Sequence, residues 1–160
     1  MTTEVDDVAR VSELLGRPPS CAFTVVRRSP DGDPQVIRNA PFFFDGTPMP
    51  TRFWLVDPVL GKQVSRLENA GGVRRAEAEI DPDALRAAHA RYERERDAEI
   101  EPTHAGPRPS GGVGGTRVGV KCLHTHYAWF LVGGDDPVGR WVDEHLTEAV
   151  PDRDRARDRS

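Results

Sequence analysis

The sequence predicts an α+β domain: a small antiparallel sheet of about three strands, drawn from residues 21–56, packed with four to five helices. Three observations predict it. Two β-branched runs, "CAFTVVRR" and "QVIRNA", flank the turn-forming "SPDGDP". Aspartate-proline pairs at 57–58, 81–82 and 136–137 each stand at the head of a stretch with helical apolar spacing. The N-terminal stretch "EVDDVARVSELL" is itself periodic and ends at Gly16 and Pro18-Pro19.

The elements follow in order. Residues 4–15 place Val5, Val8, Val11 and Leu15 near one helical stripe. Strands are expected at 21–28 and 35–40, joined as a hairpin, and at 51–56, where "TRFWLV" follows the proline-broken "DGTPMP". The run Phe53–Val56 is almost continuously apolar, which suits a strand buried on both faces. Leu60, Val64 and Leu67 recur at helical spacing, and "NAGG" stops that helix near residue 70. Leu85, Ala88, His89 and Tyr92 make the stripe of the next helix, whose later "RYERERDAEI" forms a solvated face. Residues 101–117 carry many chain breakers and read as a long loop. "VGVKCLHTHYAWFLV" is dense enough in apolar residues to be a buried helix near 118–132. The last helix begins at Asp136-Pro137, with Val138, Trp141, Val142 and His145 inward. Residues 1–147 therefore read as one domain, and 148–160, with alternating charges and no apolar stripe, as a disordered tail.

Composition narrows the function classes. At 160 residues the chain can bury one real core. A net charge of −4 supplies no field favouring nucleic acid or an anionic membrane, and no apolar run approaches the roughly 20 residues that a membrane helix needs. The acidic, periodic N-terminus has no export signal, so the cytoplasm is the expected location. There Cys21 and Cys122 would stay reduced, and two thiols cannot make a four-cysteine zinc site in one chain.

The chemistry concentrates in "GGVGGTRVGVKCLHTHYAWFLVGG", residues 111–134. As a metal site, Cys122 and His126 share a helical face, while His124 lies about 200° from Cys122. If the helix instead starts after Leu123, Cys122 and His124 can converge at its N-terminus. Cys21, Asp57 or His104 would then complete the shell of zinc or another divalent transition metal. As an anion cradle, Gly114 and Gly115 would offer backbone N–H groups beside Arg117 and Lys121, without the spacing of a nucleotide-binding fingerprint. As a nucleophile, Cys122 beside Lys121 and His124 lacks an evident orienting carboxylate. Against all three stands the plainer reading that Cys122 is a small buried hydrophobe and that the histidines hydrogen-bond in the core. His89 and His145 read as packed histidines, and the aromatics at 42–44, 53 and 54 as core.

"DGTPMPTRFWLVDP" and "GVKCLHTHYA" with "GGDDPVGRWV" resemble the domain of unknown function 501 family, small single-domain proteins found mostly in actinobacteria. The resemblance spans roughly residues 9–146. Its most specific piece is Lys121-Cys122-Leu123-His124, followed by Asp45–Pro48 with Pro50-Thr51, and more weakly Leu67-Glu68. It implies no reaction. Gene neighbours of the family imply an association with cell division or polyphosphate metabolism. Relatives often carry cysteine where this chain has Ser29 and Asp57, so a metal site using those thiols would be lost or rebuilt here. Three functions stay open: a cytoplasmic accessory protein binding a metal or ligand near residues 114–126, an enzyme acting on a phosphorylated or polyphosphate substrate, and an interaction protein of division or envelope machinery.

Overall fold

The computed structural model describes the backbone of residues 4–149 and the side chains of residues 6–146. Helix α1 (Glu4–Leu15) leads into β1 (Cys21–Arg28), β2 (Pro34–Phe43) and β3 (Phe53–Leu55). Helices α2 (Pro58–Asn69), α3 (Gly72–Glu79) and α4 (Pro82–Asp97) follow. A turn of 3₁₀ helix (Val113–Gly115) precedes α5 (Leu123–Leu131) and α6 (Pro137–Ala149). The expected tail therefore lies outside the described residues beyond Ala149.

The sheet is antiparallel in the order β1-β2-β3, and the aspartate-rich turn makes β1 and β2 a hairpin. Gly32 closes that turn at φ +88, a conformation that favours glycine. Strand alternation assigns the two faces. Val36, Phe53 and Leu55 point towards Tyr92 and Trp129, whereas Ile37, Trp54 and Val56 point towards Val11 of α1. That is why the β3 stretch is apolar at every position: it is covered on both sides. A third cluster, built from Val64, Leu67, Leu123, Tyr127, Val138 and Trp141, joins α2, α5 and α6. Phe44 departs from its expected core role and is 72% exposed.

Six helices form among the described residues, and the additional one is α3. "NAGG" does stop α2, but it also starts α3. Gly71 sits at φ +84 as the N-cap of the new helix, and a Cβ on Gly72 would come within 2.6 Å of the Leu67 carbonyl oxygen. Two glycines at one tight corner look, in sequence, like the end of structure. The remaining caps follow the aspartate-proline signals: Asp57 accepts from Val59 and Leu60, and Asp81 from Ala84.

Candidate metal centre

Helix α5 starts at Leu123, five residues later than the apolar run suggests. Cys122 is its N-cap, extended at φ −151 and ψ 158, and its side chain caps nothing. The missing acceptor comes from α2, where Glu68 Oε2 accepts from Leu123 N at 2.8 Å. Just upstream, Glu77 Oε1 accepts from Val120 N at 2.7 Å. The electropositive start of the helix thus already has its anions, supplied by the protein itself.

Glu68 also faces the second residue of α5. Its Oε1 lies 3.2 Å from His124 Nδ1, while His124 Nε2 is 3.2 Å from both the Gly61 carbonyl and Ser65 Oγ. Gly61, Ser65 and Glu68 share one face of α2, beside the apolar stripe of Leu60, Val64 and Leu67. One ligand atom from each of Glu68, Cys122 and His124 falls within 4.8 Å of the other two, and all three residues are half-buried. With Nε2–H donating to the Gly61 carbonyl, Nδ1 is turned towards the Glu68 carboxylate. In the other tautomer Nδ1–H donates to Glu68 and Nε2 accepts from the Ser65 hydroxyl, so the same ring can present Nδ1 either to a proton or to a cation.

The titration of this pair fits that geometry. Burial pushes the Cys122 thiol up, but hydrogen bonding to His124 and to Thr125 outweighs it, and the net value falls below that of an ordinary thiol. The Cys122 hydrogen bond raises His124 above an ordinary imidazole against burial, helped by the Glu68 charge and the Gly61 carbonyl. Both shifts run towards the charged forms, a thiolate at Cys122 and an imidazolium at His124.

The other expected ligands sit elsewhere. His126 is fully buried and bonded through Nδ1 to Asp136 Oδ2 at 2.6 Å. It does not share Cys122's face as a helix running through both would require, because Cys122 precedes the helix in extended conformation. Cys21 is buried at the start of β1, 3.5 Å from Asn39 Oδ1 of β2, with its thiol pushed up by burial. Asp57 is occupied as the α2 cap and by Gln35 Nε2 at 2.8 Å, and His104 stacks on Phe42. Among the described residues, the group able to hold a metal takes Glu68 as its third member.

The glycine-rich loop packs. Gly112, Gly115 and Thr116 donate their N–H groups within the loop, and Val113 N donates to His89 Nδ1 at 3.1 Å. Those four amides are not free for a ligand. A Cβ on Gly112 would stand 2.5 Å from that of His89, so the glycine admits α4 rather than an anion. Lys121 is exposed and its stem crosses Gly114, Gly115 faces Pro50, and Arg117 reaches Glu93 only at 3.9 Å. His89 and His145 are packed and bonded as expected, to Gly119 O and Trp141 O.

Sequence reasoning missed Glu68 as a candidate ligand, along with its neighbours Gly61 and Ser65. The available signal was the i, i+4, i+7 spacing of these residues one step beyond the apolar stripe of α2. Residues 25–144 match the family described as a protein of unknown function, DUF501, and the chain belongs to that family. No curated protein and no solved structure matches the chain.

Proposed function

We propose that this family member is an accessory protein that binds zinc or another divalent transition metal through Glu68, Cys122 and His124. The observation that carries the reading is the convergence of a carboxylate oxygen, a sulfur and an imidazole nitrogen within 4.8 Å of one another. Bonds of about 2.0–2.3 Å set tetrahedral donors roughly 3.3–3.8 Å apart, so only small side-chain movements would close the shell. The outer shell is already built: Gly61 O and Ser65 hold the far side of the His124 ring, and Leu123 N holds the second Glu68 oxygen. Three protein ligands leave one position open at a half-buried site, the arrangement of a metal that meets a ligand rather than one that only staples a fold. The reading suits the cytoplasm, where a thiolate ligand stays reduced. Among the described residues no helix is long and apolar enough to cross a membrane.

The test is elemental analysis of the purified chain, followed by zinc titration against a chromophoric chelator. One equivalent is expected. Cys122→Ser, His124→Ala and Glu68→Gln should each lose more affinity than the roughly 10–100-fold that follows loss of an outer-shell partner. Their circular dichroism should stay as in the parent. Equal zinc binding by all three variants, or none by the parent, would sink the proposal.

One observation favours a second reading, an enzyme using the same pocket: Glu68 orients His124 beside Cys122, supplying the carboxylate that a thiol nucleophile needs. A parent that binds no zinc, and whose Cys122 alkylates faster than that of Glu68→Gln, would favour it.

A further inference from the structure

At the opposite end of α5, away from Cys122, a cavity of about 330 Å³ opens between that helix and the sheet. Its floor is aromatic: Phe53 and Trp129 line it and are buried. Its polar groups are Arg38, Arg52 and Glu95. Glu95 is engaged, accepting from Trp129 Nε1 at 3.2 Å and lying 3.7 Å from Arg52 Nη1. Arg52 is fixed further by Glu99 at 2.8 Å and lies over the Phe53 ring. Its Nε, however, is buried and has no hydrogen-bond partner. Arg38 stands opposite Phe53 in the β2–β3 register, half-buried, and pairs with no carboxylate among the described residues.

Two features on the lining of one space thus lack a counterpart among the described residues: the Arg38 guanidinium has no counter-charge, and the buried Arg52 Nε–H has no acceptor. A buried donor is costly to leave unmet, and a half-buried arginine with no partner gains nothing from its position in the apo protein. The α5 carbonyls do not answer either. Leu131 O is taken by Arg27, and the oxygens of Phe130 and Trp129 by Gly133 N and Gly134 N. What satisfies both arginines is an acceptor-rich group of opposite charge, matched to the planar fork of a guanidinium. We propose that this cavity binds a small oxyanion, the phosphate or carboxylate group of a compact ligand, through Arg38 and Arg52 Nε over the Phe53–Trp129 floor.

The test uses the full chain treated with chelator, so that the metal centre cannot report, at constant ionic strength maintained with chloride. Inorganic phosphate and acetate are titrated separately, and the arginine Nε–H and Trp129 indole N–H resonances are followed by nitrogen-edited NMR. One or both anions should move the Arg52 and Trp129 signals to saturation, and the one that does so identifies the class. Arg38→Gln should weaken that binding by about tenfold or more with its melting temperature unchanged, because Arg38 pairs with no carboxylate among the described residues. Arg38→Lys, which keeps the charge and loses the fork, should fall between. Shifts that grow linearly without saturating for both anions, or equal affinity in Arg38→Gln, would overturn the proposal. The outcome is independent of whether zinc binds at Cys122.

Discussion

His124 and His126 are two residues apart on α5, and each has a carboxylate against its Nδ1, yet they do opposite things. His124 meets Glu68 at 3.2 Å with 31% of its side chain exposed; His126 meets Asp136 at 2.6 Å with none. Two steps along a helix turn the side chain by about 200°, so one imidazole looks into the α2 groove and the other into the core. The groove pair has a thiol beside it and room for a cation. The core pair is sealed from solvent. Asp136 accepts from His126 with one oxygen and caps α6 with the other, at 2.9 Å from Val138 N, and the His89 ring packs edge-on against His126. A buried histidine–carboxylate pair is therefore no sign of a site. Access and a third donor make the difference.

The largest effect should come from breaking the sealed pair. Asp136→Ala strands the His126 ring and uncaps α6, and losing one member of a buried pair costs about 3–5 kcal/mol. Urea denaturation should find the variant largely unfolded or much weakened, and zinc should not restore it. A loss below about 1 kcal/mol would mean that the sealed pair contributes little.

Tyr92 extends the comparison to another sealed polar group. Its hydroxyl oxygen accepts from Arg52 N at 2.5 Å and Phe53 N at 3.2 Å, holding the start of β3. Tyr92→Phe leaves those donors unmet and should cost about 1–3 kcal/mol by the same denaturation. Burial, opposed by those N–H groups, pushes the Tyr92 phenol up to about 12. The neutral form is thus preferred in the native state. Its contribution is fully present below pH 10, the ordinary phenol value, and is lost as pH climbs through about 12. The parent should lose stability more steeply than Tyr92→Phe across that window.

A subtler change sharpens the groove side. Ser65→Ala removes a hydroxyl that lies 3.2 Å from His124 Nε2 but leaves the Gly61 carbonyl in place. Zinc affinity should drop by roughly tenfold, with stability altered by less than about 0.5 kcal/mol. The smallest effect is expected at Cys21, the thiol outside both pairs. Cys21→Ser should leave zinc stoichiometry unchanged in the same titration, and its modest loss of stability should reflect only a buried hydroxyl beside Asn39.

The fold was legible wherever local chemistry decides. The aspartate-proline starts of α2, α4 and α6, the turn between β1 and β2, and the doubly buried Phe53–Val56 run all behave as their residues require. What misled was a local signal with two meanings: Gly71-Gly72 ends one helix and begins another, and only Leu67's carbonyl explains why a side chain is excluded there. In the site, Cys122 and His124 were legible as donor types, and their convergence followed once the helix began at Leu123. The spacing of Gly61, Ser65 and Glu68 marked a shared face of α2, but it could not name Cys122 and His124 as that face's partners, because the bond from Leu123 N to Glu68 spans 55 residues.

Periodicity, caps and turn residues act over a few positions, so the sequence by itself determined which segments are helix or strand and which face of each is apolar. It also determined that a thiol and two imidazoles would cluster on one short stretch. Only the tertiary structure decided which imidazole joins the thiol. A carboxylate from α2 accepts from the first amide of α5, and that contact sets where the helix starts and hence which way each ring points. The same packing turned the glycine-rich loop inward against His89 and put Arg38 on the lining of a cavity, with no counter-charge among the described residues. These outcomes depend on groups distant in the chain meeting in space, where the energy of a charge or a hydrogen bond is set by what else is buried there.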